Sequence, residues 1–192
     1  MRVYDMLPDG YRELLSIHLQ KDKKLALLIN AMALAVGIVL GVGMHLIVPI
    51  DTLFDMTNGV GQYLLRFGVL LVGVVGYLIL HELVHGITMK HYGAKRVKYG
   101  WTGLYAFAGS DEYFDKRSYL TIALAPVVVW GIVLLFLQCF VSGGWIWVVW
   151  FIQITNLSGA AGDAYVTMKF SRLPADILVC DTGVGMTVYT KK

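Results

Sequence analysis

The chain has 192 residues, of which 57% are hydrophobic and 15% charged, a usage that excludes an ordinary soluble domain. Its length fits one compact membrane domain, residues 1–192, with too little chain between apolar runs for a separate soluble one. The net charge of +3 does not point to nucleic acid, because the basic residues alternate along the chain instead of forming one patch.

A polar N-terminal stretch ending in Lys21, Lys23 and Lys24 precedes the first apolar segment, residues 25–50. Only a few apolar residues come before Ala33-Leu34-Ala35, so this segment is expected to be a retained span and not a cleaved signal. Further spans are expected at 63–89, 119–141 and 145–170, each near or above the roughly 20 residues that cross hydrocarbon as a helix. Between the second and third, Lys95 to Gly109 carries Val97, Tyr99, Trp101, Leu104, Tyr105 and Phe107 around Thr102-Gly103. That pattern reads as a short amphipathic β-hairpin at the interface, whose free edge could add a substrate strand. The expected fold class is therefore an all-α integral membrane protein with four transmembrane helices and one interfacial hairpin. Cys139, in an apolar run, and Cys180, in the tail, are expected to be free thiols.

Lys and Arg sort by membrane side. Of 16 basic residues, all but Arg66 fall before residue 25, between 90 and 117, or after 168. Cytoplasmic loops carry such an excess, so both termini are expected to be cytoplasmic, and a prokaryotic plasma membrane is the default location.

His81-Glu82-Leu83-Val84-His85 closes the second span. Histidines four apart share one helix face and can hold one Zn²⁺, while the Glu between them serves as general base. Ionisable groups at the end of an apolar helix are expensive without a partner, which favours a metal over a chance match. Counted from the outer face, His81 and His85 lie roughly 27 to 33 Å down, near the cytoplasmic side, and Asp163 lies roughly 27 Å down the fourth span. Asp163 is therefore the expected third ligand, and Glu112 in the basic loop is the reserve. Asn156, two turns before Asp163, is a candidate for binding substrate backbone or an oxyanion, or for an interhelical hydrogen bond. His18, His45 and His91 are placed outside the site.

Several segments carry a family resemblance: His81 to Gly86, Tyr92 to Gly100, Leu124-Ala125-Pro126, Asn156 and Gly162-Asp163. Over roughly residues 60 to 185 the chain resembles the zincin-peptidase family of small membrane proteins, which is distantly similar to the site-2, or intramembrane zinc, proteases. The resemblance implies His81, His85 and Asp163 as zinc ligands and Glu82 as base. It departs from site-2 proteases in having Gly162 before Asp163, and no proline between Asn156 and Asp163.

The function expected is zinc-dependent proteolysis within or next to the bilayer, with a metal-bound water activated by Glu82 and a membrane protein or peptide as substrate. The alternative is a non-catalytic zinc-binding membrane protein that sequesters partners. A haem-binding bundle using His45 is disfavoured, since His45 lies near the opposite membrane face.

Overall fold

The computed structural model describes residues 3–18, 21–103 and 105–191. Arg2 and Lys192 of the charge count, and Leu104 of the hairpin, lie outside them. The elements in order are β1 (Val3–Tyr4), β2 (Tyr11–Ile17), α1 (Lys23–Ile47), a 3₁₀ turn (Ile50–Phe54), α2 (Val60–His91), β3 (Lys98–Trp101), β4 (Ala106–Gly109), β5 (Tyr113–Asp115), α3 (Lys116–Gln138), α4 (Gly144–Gly159), α5 (Ala161–Ser171), β6 (Leu178–Asp181) and β7 (Met186–Lys191). The chain divides into two compact units.

The first unit comprises residues 1–29, 81–126 and 162–192. It holds an antiparallel sheet in the order β1-β5-β6-β7-β2, together with the two-stranded hairpin β3-β4. The expectation of an all-α protein is corrected by this five-stranded sheet; the expected hairpin is present, with Trp101 opposite Ala106 and Gly103 at φ +88° in its turn. Register aligns Val3, Phe114, Val179, Val188 and Leu15 in one row across the five strands. Side chains alternate across a sheet, so Asp181, two residues from Val179, and Met186, two from Val188, share that inner face. Met89 of α2, Tyr119, Ile122 and Ala123 of α3, and Val166 and Phe170 of α5 cover it, forming the core of this unit. The α2 terminus is locked against that core. Gly93, at φ +104°, and Ala94 donate to the carbonyls of Lys90 and Met89, the paired bonds of a Schellman motif, and Ala94 and Met89 are both buried.

The second unit comprises residues 30–80 and 127–161. Trp147 is its central side chain, buried with Met44, Leu53 and Val148, and its indole N–H donates to the carbonyls of Val48 and Pro49 at 3.1 and 3.3 Å. Buried Arg66 donates to the carbonyls of Thr52 and Asp55, tying the 3₁₀ turn to α2.

Three helices, α1, α2 and α3, are long and apolar enough to cross a membrane. In α1 only Met44 is buried, whereas Leu27, Leu34, Val39 and Leu46 are at least 65% exposed. Each such side chain left in water forfeits about 1.5–3 kcal/mol, so lipid is the solvent this surface fits. The single span expected at 145–170 is instead two helices, separated at Ala160 within a run of small residues. The first, α4, is 16 residues, about 24 Å, against a hydrocarbon layer of about 30 Å.

Candidate metal centre

The sheet positions the centre through helical spacing. Met89, docked on the sheet, lies one turn beyond His85, and Val166 lies one turn beyond Asp163, so anchoring residue and polar residue share a helix face in each case. Ile122 anchors α3 with its side chain and offers its carbonyl to the same site. The result brings His81, His85 and Asp163 together: one ligand atom from each lies within 4.8 Å of the others. His81 Nε2 stands 3.3 Å from Asp163 Oδ2, and His85 Nε2 stands 3.6 Å from Oδ1. Both imidazoles are buried, with their rings edge to face. His85 Nδ1 donates to the Ile122 carbonyl at 2.9 Å, which leaves Nε2 as the nitrogen turned to Asp163.

This donor set fits a tetrahedral divalent cation. Two imidazole nitrogens and one carboxylate are the ligand types of a zinc site with an open fourth position, and ligand atoms at zinc bond lengths of about 2.0–2.1 Å stand about 3.3 Å apart on a tetrahedron, as His81 Nε2 and Asp163 Oδ2 do. Asp163 is in the first turn of α5, where the helix dipole favours a carboxylate.

Glu82 neighbours the cluster on α2, and its carboxylate faces the backbone of Ala108 in β4. Beside it lies Tyr99, a residue the sequence reading assigned only to the hairpin. Its hydroxyl rests on Gly86, where an added Cβ would come within 1.9 Å of it. Burial, and then the charge of Glu82, hold the Tyr99 phenol above its ordinary pKa of 10. The signal for this contact was the glycine directly after the second histidine, since only glycine leaves room for a side chain against the helix backbone.

Glu112, the reserve ligand, is not in the cluster. Its Oε1 accepts the N–H groups of Lys95 and Arg96 at 3.0 and 3.3 Å, holding the loop that follows α2. Asn156 belongs to the second unit, where its Oδ1 accepts the Tyr77 hydroxyl at 3.0 Å and its amide donates to the Val127 carbonyl and Gln153 Oε1. Its hydrogen-bonding groups thus serve helix packing, one of the two roles expected for it. His45 Nδ1 accepts the N–H of Ile50, and His18 pairs with Ser16. Both cysteines are free.

The profile of a family described as "Putative zincin peptidase" matches residues 74–178, which include His81, Glu82, His85 and Asp163. The chain belongs to that family. Among curated proteins, this zincin-peptidase family chain is similar to an "Uncharacterized 24.7 kDa protein in gap 5'region" of Pyrococcus woesei, 30% identical over 122 residues. The alignment covers 61% of the chain and 53% of the relative, so the chain spans about half that protein's length. No solved structure matches it.

Proposed function

We propose that the protein is a zinc-dependent protease that cuts membrane proteins or peptides within or next to the bilayer. The observation that carries this reading is the convergence of His81, His85 and Asp163 beside Glu82, in a chain of the zincin-peptidase family. His81 and His85, through Nε2, and Asp163, through a carboxylate oxygen, would hold the metal. A bound zinc supplies Lewis-acid activation of water and polarisation of a scissile carbonyl. Glu82 takes a proton from the attacking water on its carboxylate and passes it to the leaving nitrogen. The Ile122 carbonyl orients His85. The hairpin supports a peptide substrate: β4 pairs with β3 in a two-stranded sheet, and its Ala108 lies beside Glu82. A substrate segment added along β4 would be extended, as its scissile carbonyl must be to leave helical hydrogen bonding.

The three apolar helices support a membrane location, the pairing of β2 with β7 in one sheet supports both termini on the same side, and the sorting of basic residues supports the cytoplasm as that side; a prokaryotic plasma membrane is the default setting. Glu82→Gln keeps the side-chain shape and both histidines while removing the base. Zinc should remain bound, cleavage should fall by at least about 10²-fold, and crosslinking in membranes should capture a substrate that the wild type releases as two fragments. Identical membrane proteomes for wild type and Glu82→Gln would leave non-catalytic zinc binding as the better reading.

A further inference from the structure

Pro126 lies inside α3 and is fully buried. An ordinary residue at this position would donate its backbone N–H to the Ile122 carbonyl, four residues back. Proline has no N–H, and its ring crowds that carbonyl away from the helix axis. The Ile122 carbonyl, with its own side chain 1% exposed in the core, instead accepts Nδ1 of His85 at 2.9 Å. A carbonyl only accepts, so the proton is on Nδ1. We infer that Pro126 is a positioning residue: by withholding a helical N–H it reserves the Ile122 carbonyl for His85 and fixes that ring with Nε2 toward Asp163.

The inference rests on the metal-centre reading, and its role differs from a helix kink. A kink would act through backbone direction and packing, and would be sensitive to the ring. The positioning role depends on one absent proton. Two variants separate them. Pro126→Ala restores the N–H with a side chain that favours helix, while replacing Pro126 by lactic acid, introduced by nonsense suppression, gives the same methyl side chain with an ester oxygen and no N–H.

The test uses the full chain in detergent micelles, with Zn²⁺ affinity read by chelator competition. A second readout is the His85 Nδ1–H resonance of metal-free, ¹⁵N-histidine-labelled protein, assigned by its loss in His85→Ala. Pro126→Ala should weaken zinc by about 10–100-fold, the usual effect of losing a partner behind a ligating histidine, and its Nδ1–H should lose protection from exchange. The lactic-acid variant should match wild type in both. Equal losses in the two variants, or no change of the Nδ1–H resonance in Pro126→Ala, would overturn the inference. Should wild type bind no zinc, the metal-centre reading fails, and the Nδ1–H comparison in metal-free protein still decides whether Pro126 orients His85.

Discussion

Gly86→Ala tests the close approach of the hairpin to α2. The new Cβ would stand 1.9 Å from the Tyr99 hydroxyl, 2.5 Å from Cζ and 2.8 Å from Cε1. Ordinary contact begins near 3.4 Å, so the hydroxyl must retreat by about 1.5 Å. Tyr99 is 48% exposed on a two-stranded hairpin and can swing outward without disturbing the sheet core, while alanine gains up to about 1 kcal/mol over glycine in a helix. The two effects nearly offset, and net stability should stay within about 1 kcal/mol of wild type. Zinc content should not change. The Tyr99 phenol, held above 10 by burial and Glu82, should titrate nearer its ordinary value once it moves away. Alkaline titration of tyrosinate absorbance, with Tyr99→Phe as the subtraction, reads that shift directly. If Glu82 is the base, a displacement of this size beside it should cost about 10²-fold in cleavage. A Gly86→Ala protein whose Tyr99 titration is unchanged would refute the packing argument.

Tyr119→Phe removes the hydroxyl that donates to buried Asp181 at 2.7 Å, which should destabilise the protein by about 1.5–3 kcal/mol at neutral pH. Burial raises the Asp181 pKa and the Tyr119 hydrogen bond lowers it. The native state therefore holds the Asp181 proton more tightly than the unfolded chain, and the group's contribution to stability falls as pH rises above the ordinary carboxylate value. Losing the hydroxyl widens that window upward, so the Tyr119→Phe deficit measured by denaturant titration should be smallest in acid and grow toward neutrality; a deficit independent of pH would contradict the pairing. For topology, in a Cys139→Ser, Cys180→Ser background, Thr57→Cys should react with an impermeant maleimide from outside the cell and Arg172→Cys only after permeabilisation. Labelling of Arg172→Cys from outside would reverse the assignment of sides.

Three of the four expected spans and the cluster of His81, His85 and Asp163 were legible because each rests on a local period. Histidines four apart fall on one helix face whatever surrounds them, and a run of 20 apolar residues declares its own environment. Asp163 was reached by counting turns, although the helix that carries it proved to be a separate one, interrupted at Ala160. The five-stranded sheet was not legible. Its strands are two to seven residues long and most partners lie far apart, as with Val3 and Phe114 or Tyr11 and Lys191; only β6 and β7 pair locally, across the glycine-containing turn Thr182 to Gly185, a hairpin signal the sequence reading passed over. That sheet is nonetheless what holds α2, α3 and α5 at the centre, through Met89, Ile122 and Val166. The Schellman stop at Gly93 and the carbonyl freed by Pro126 were readable in principle. Each is a local rule about one residue type, although only the structure shows which side chain takes up the freed carbonyl.

The central claim is that His81, His85 and Asp163 form one zinc site. Elemental analysis of purified wild type, Asp163→Ala and Glu112→Ala tests it most directly. The account predicts about one zinc per chain in wild type and in Glu112→Ala, and almost none in Asp163→Ala. Wild type without zinc, or Asp163→Ala with full occupancy, would contradict it.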